Sequence, residues 1–221
     1  MTATTTGPRF DLVIFDNDGV LVDSEPHASR VLVELLAEYG LRMSVEQCDA
    51  EFLGSSLPST RQRMERWLGR AAPADFEDTY HARLFEAFER CLTAVPGVAE
   101  ALDRIALPTC VASSGTHERI RRALTRTGLI MRFAGRIFSA HDVERGKPAP
   151  DLFLHAARVM QVDPSRCAVI EDSPIGVEAA NAAGMTAFGF ARLTPADRLG
   201  HASGGIFASM KQLPALLMSR P

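Results

Sequence analysis

Five short apolar runs, at residues 10–15, 109–113, 135–139, 167–170 and 185–190, are mostly separated by segments with helical character. This alternation constrains the fold more than any other feature of the chain, because strands that alternate with helices wind into a parallel sheet covered on both faces. Residues 204–207 add an edge strand. The pattern predicts an α/β fold with a doubly wound, mostly parallel, Rossmann-like sheet.

The helix starts are marked by residue type. Ser173 before Pro174 reads as an N-cap followed by a first-turn proline, whose missing N–H would have no partner there. Pro150 opens the next such segment, in which Phe153, Ala156, Ala157 and Met160 recur at helical spacing and give it one buried face. Residues 23–94 contain no convincing strand. Their apolar positions fall on helical faces, Val31, Leu32, Leu35 and Leu36 on one and Phe76, Tyr80, Leu84, Phe85 and Phe88 on another. A stretch this long is not a loop. It predicts an inserted helical domain at 23–94, hinged near residues 21–23 and at Pro96 and Gly97, within a core formed by residues 1–22 and 95–221.

Composition narrows the ligand. A net charge of -3 gives no cationic excess for neutralising a nucleic-acid backbone, so a small molecule is the expected partner. No apolar run approaches the ~20 residues that cross a bilayer, and residues 1–8 lack the features of a secretory signal. Cys48, Cys91, Cys110 and Cys167 form no ligand spacing and read as reduced thiols, the last two inside core strands. A cytoplasmic protein, monomeric or weakly homodimeric, is expected.

Polar residues gather where the apolar runs end. Residues 10–15 lead into Asp16-Asn17-Asp18-Gly19, where an extended backbone lets the two carboxylates, two residues apart, share one side. Taken alone, such a pair describes a solvated turn equally well. Three other strand ends change that weighting: Ser113-Ser114-Gly115 follows the second run, Gly146-Lys147-Pro148-Ala149-Pro150-Asp151 the third, and Glu171-Asp172-Ser173 the fourth. In doubly wound folds the carboxyl ends of the strands line the ligand crevice. Lys147 is one of two lysines in the chain, the other being Lys211. Arg119, Arg121, Arg122 and Arg126 read as a solvated basic face. The histidines show no metal-ligand spacing, although His117 joins the ligand candidates because it closely follows Ser113.

This ordered set resembles all four motifs of the haloacid dehalogenase superfamily, from residue 10 to about residue 184. Within it the chain is similar to the β-phosphoglucomutase-like group, partly through Leu21-Val22-Asp23-Ser24-Glu25. The resemblance implies a mobile cap at the helical insert and a phosphatase using Mg²⁺. Asp16 would be the phosphate-accepting nucleophile and Asp18 the acid and base. Ser113 and Lys147 would complete the catalytic set, with Ser114, Gly115 and His117 at the phosphate. The implied metal ligands are Asp16, the Asp18 backbone carbonyl and Asp172, with Glu171 ligating or supporting them. Glu25, His27, Ser55, Ser56 and Arg61 would select a small phosphorylated metabolite, a sugar or sugar-acid phosphate.

Other members of the superfamily fit less well. Dehalogenases lack the second acid, and the phosphonate-cleaving relatives use a cap lysine, whereas residues 23–94 contain none. The mutase alternative has a histidine where this chain has Ala28. His27, one residue earlier, lies about 100° around a helix. A non-catalytic binding module would have no need of both Asp16 and Asp18.

Overall fold

The computed structural model describes residues 9–52, 55 and 57–219. Six strands form one parallel sheet: β1 (Leu12–Phe15), β2 (Thr109–Ser113), β3 (Ile137–Ser139), β4 (Cys167–Glu171), β5 (Thr186–Phe190) and β6 (Gly205–Phe207). Their spatial order is β3-β2-β1-β4-β5-β6. The chain winds outward from β1 to one side, then returns to wind outward on the other, so the reversal lies beside β1 and its two neighbours. Ligand crevices form at that point in such sheets. All four residues of β1 are buried, as a central parallel strand requires.

Helices cover both faces. On one, Leu12 and Ile14 pack with apolar residues of α7 (Asp151–Val159) and α8 (Pro174–Ala182). On the other, Val13 and Phe15 pack with those of α5 (Val98–Arg104), α6 (His117–Arg126) and α9 (Leu213–Met218). The expected cap on α8 forms, since the Ser173 hydroxyl accepts the Gly176 N–H at 3.1 Å.

The insert contains α1 (Glu25–Glu38), α2 (Val45–Phe52), α3 (Leu57–Leu68) and α4 (Phe76–Cys91). Both expected apolar faces are buried apart from Phe85, which is half-buried on a cavity wall. The segments that enter and leave the insert are paired: the Asp23 N–H donates to the Thr93 carbonyl at 2.9 Å, and the Val95 N–H to the Leu21 carbonyl at 3.0 Å. Ser56, one of the residues expected to select substrate, lies outside the described residues. Among the described residues, no helix is long and apolar enough to cross a membrane.

Candidate active site

Strand register places the chemistry. Phe15 pairs with Val111 of β2 and with Ile170 of β4, so the next residue on each strand brings Asp16, Ala112 and Glu171 side by side. The Asp16 N–H donates to the Ile170 carbonyl at 3.0 Å and holds that alignment past the strand end. Lys147 arrives from the segment before α7. Its ammonium donates to Asp16 at 2.7 Å, to Glu171 at 2.5 Å and to the Ala112 carbonyl at 3.2 Å.

Glycines allow the carboxylates to sit this close to backbone. A Cβ at Gly176 would lie 1.9 Å from the Glu171 carboxyl carbon, and one at Gly19, where φ is +74°, would lie 1.9 Å from an Asp172 oxygen. Glu171 is fully buried, and its second oxygen accepts the Ser173 N–H at 3.1 Å and the Ser173 hydroxyl at 2.9 Å. Ser173 therefore both caps α8 and orients Glu171.

The opposite wall is the turn into α6. Ser113 is buried, and its hydroxyl accepts the Gly115 N–H at 3.2 Å. The Thr116 side chain caps α6 by accepting the Arg119 N–H, while the Ser139 hydroxyl, at the end of β3, donates to the Gly115 carbonyl at 2.7 Å. These bonds fix the hydroxyls and N–H groups between β2 and α6, a place suited to an anion.

Asp16, Glu171 and Asp172 offer carboxylate oxygens that all lie within 4.8 Å of one another. Burial raises the pKa of Asp16 to about 7, with Glu171 and Asp18 adding repulsion and Lys147 opposing. Asp172 is likewise pushed well up, by burial first and then by Glu171, Glu25 and Asp16. One ammonium thus faces three clustered carboxylates. A hard divalent cation such as Mg²⁺, which prefers oxygen ligands, matches this donor set and the residual negative charge. Asp18 behaves differently. Burial would raise its pKa, but Arg119, 3.0 Å away, together with the Ser24 and Asn17 side chains outweighs that and holds it below the ordinary value.

Asp16, Asp18, Ser113, Ser114, Gly115, Lys147, Glu171, Asp172 and Glu25 line one cavity of about 640 Å³. Three expected ligand residues do not, and each has a local reason. His117 binds Asp142 at 2.8 Å, lying two helical positions, or about 200°, from the cavity-facing Arg119. His27 packs edge-on against Phe88, with Nδ1 3.6 Å from the Cys91 thiol. Arg61 is drawn to Glu65 at 3.2 Å and to Glu77 at 3.8 Å. Ser55 lines the cavity as expected, and so do His81, His141, Thr194 and Arg119, which no sequence motif marks.

On α6 the expected solvated face holds for Arg121, Arg122 and Arg126, which are exposed, and Arg122 pairs with Glu118 at 2.8 Å; Arg119 is the correction. Arg119 reaches Asp18 and lies over the Phe88 ring, 5.7 Å from its centroid. Arg122 lies 5.1 Å over Phe85, and Arg126 donates to the Glu89 and Arg90 carbonyls at 3.0 and 3.2 Å. These three positions follow helical spacing and dock α6 onto α4. A clue was present in the sequence: Arg119 precedes the apolar Ala123 by one helical turn and so shares its inward face.

A family model described as haloacid dehalogenase-like hydrolase matches residues 10–184. A 6-phosphogluconate phosphatase of Escherichia coli (strain K12) is 31% identical over 213 residues, 96% of each chain. A solved haloacid dehalogenase-like protein of unknown function from Agrobacterium tumefaciens str. C58 is 38% identical with a TM-score of 0.87, covering 94% of this chain and 97% of its own. A haloacid dehalogenase family hydrolase from Deinococcus radiodurans R1, solved with bound phosphate and sodium, is 30% identical with a TM-score of 0.79, covering 97% of this chain and 100% of its own. With the match spanning every strand end that supplies a clustered carboxylate, the lysine or Ser113, this chain belongs to the haloacid dehalogenase-like hydrolases and is an enzyme.

Proposed function

We propose that this enzyme is a Mg²⁺-dependent phosphomonoesterase that hydrolyses a phosphorylated sugar or sugar acid. The observation that carries the reading is the meeting of Asp16, Lys147, Glu171 and Asp172 at the carboxyl ends of adjacent parallel strands, opposite Ser113. The 6-phosphogluconate phosphatase supports the substrate class.

Asp16 attacks phosphorus and forms an aspartyl-phosphate, while the P–O bond to the alcohol breaks and Asp18, protonated in the complex once the phosphate's negative charge beside it offsets Arg119, protonates the leaving oxygen. In the second step Asp18 takes a proton from water, which displaces phosphate and restores the Asp16 carboxylate. Asp16, Asp172 and the Asp18 carbonyl would hold Mg²⁺, with Glu171 supporting that shell. When bound, the ion offsets negative charge on the phosphoryl oxygens. Lys147 holds Asp16 in place and adds positive charge. Ser113, Ser114 and Gly115 orient the phosphoryl oxygens. The insert, residues 23–94, serves as a cap hinged at 21–23 and at Pro96 and Gly97, and encloses the reacting centre. Its paired entry and exit segments support a shared hinge.

Phosphate release from a panel of sugar phosphates, measured with Mg²⁺ and with a chelator, tests the reading. Mg²⁺-dependent release that falls roughly 10³-fold or more in Asp16→Asn is expected. Release that is equal in wild type and variant overturns it.

A further inference from the structure

Hydrolysis of a phosphate ester does not by itself require a second, half-buried cation beside the acid and base. Arg119 is such a cation. Among the described residues lining the main cavity, Lys147 and Arg119 carry the permanent positive charges, and Lys147 is engaged by Asp16, Glu171 and the Ala112 carbonyl. His81 adds no charge near neutral pH, because burial and Arg119 hold its pKa below the ordinary value. Glu77 and Glu118 make the rest of the wall repulsive to an anion, whereas burial first and then Asp18 raise the pKa of Glu25 to about 7.

Arg119 also has unused donor capacity. One terminal nitrogen donates to Asp18 at 3.0 Å, whereas Nε is buried with no partner. An unmet buried N–H is costly, and a small rotation of the guanidinium would offer a planar pair of donors. That fork matches a carboxylate, which can accept two parallel hydrogen bonds.

Its position suits such a contact. Arg119 lines the main cavity and also an adjoining one of about 160 Å³, which Glu25 shares and which Leu32, Cys48, Phe52 and Tyr80 wall within the insert. Because Arg119 bonds Asp18, a substrate with its phosphate at Asp16 and its leaving oxygen at Asp18 would carry its remaining atoms beside Arg119.

We propose that Arg119 is a specificity-determining residue that receives a carboxylate of the substrate, so that phosphorylated sugar acids are preferred over neutral sugar or polyol phosphates. This rests on the phosphomonoesterase reading and adds to it a substrate class and the residue that selects it.

The test compares 6-phosphogluconate with sorbitol 6-phosphate, which has the same ester and chain but a hydroxymethyl group in place of the carboxylate. Steady-state kinetics with Mg²⁺ on the full chain should show kcat/KM favouring the acid by roughly 10- to 100-fold. Arg119→Gln should bring the ratio to near one, chiefly through KM for the acid, and Arg119→Lys should restore part of it. A loss shared by both substrates reflects the contact with Asp18 and leaves the ratio unchanged. A wild-type ratio near one, or a ratio that survives Arg119→Gln, overturns the proposal. Wild-type release from both substrates no greater than that of Asp16→Asn would instead overturn the phosphomonoesterase reading and this proposal with it. Should the Arg119 variants not fold, competitive inhibition of the wild type decides: stronger inhibition by gluconate than by sorbitol supports the proposal, and equal inhibition overturns it.

Discussion

Lys147 is the residue on which the site's charge balance turns, because its ammonium lies between Asp16 and Glu171 with 3% of its side chain exposed. Lys147→Ala leaves two buried carboxylates without their cation, a loss typically worth ~3–5 kcal/mol. The expected result is a lower urea midpoint together with lost activity. Asp16 adds a pH dependence. Its pKa is raised from the ordinary 3.8 to about 7, so the folded metal-free protein holds a proton that the unfolded chain has already released. The stability this contributes is fully present below about pH 4 and is lost as pH climbs through about 7. A bound divalent cation removes the need for that proton. Mg²⁺ should therefore raise the melting temperature more at pH 8 than at pH 5, by roughly 5 °C more, in thermal scans against a chelated control. Gly176 belongs to the same scale. Gly176→Ala drives a methyl into Glu171, and overpacking of this kind costs about 1–3 kcal/mol. Weakened Mg²⁺ binding by calorimetry, with a lower urea midpoint, is the expected outcome.

At the scale of elements, the contact between α6 and α4 matters most. Arg119, Arg122 and Arg126 lay their stems and charges against Phe88, Phe85 and the last carbonyls of α4. Cations suit a helix C-terminus, where carbonyls lack intrahelical partners. Arg126→Ala should lower stability by ~0.5–1.5 kcal/mol in urea titration, the usual worth of such hydrogen bonds. Part of this interface was open to reading from sequence and part was not. The apolar positions of α1 and α4 show their period because burial selects them directly. Arginine carries both a long apolar stem and a charge, so its sequence position does not say whether it faces water or a neighbouring helix.

Across the whole molecule, a single apolar cluster includes sheet residues such as Val13 and Phe15 and insert residues such as Leu35, Leu84 and Phe88. Such continuity predicts cooperative unfolding even though the insert is proposed to act as a cap. Trp67, the chain's one tryptophan, lies on α3 and reports the insert, while far-UV circular dichroism reports all helices and strands. Their urea transitions should coincide. A tryptophan transition at lower urea would show that the insert opens as a separate unit.

The sequence by itself determined the strands, the helical insert and the ordered set Asp16, Asp18, Ser113, Lys147, Glu171 and Asp172, because burial and backbone geometry act on neighbouring residues and leave periodic traces. The tertiary structure decided which side chains of α1, α3 and α6 reach the cavity. It turned His27 toward Cys91, drew Arg61 to Glu65 and Glu77, bound His117 to Asp142, and set Arg119 against Asp18. Each of those outcomes depends on partners distant in sequence, and a polar side chain takes its direction from the charge it meets rather than from its own period.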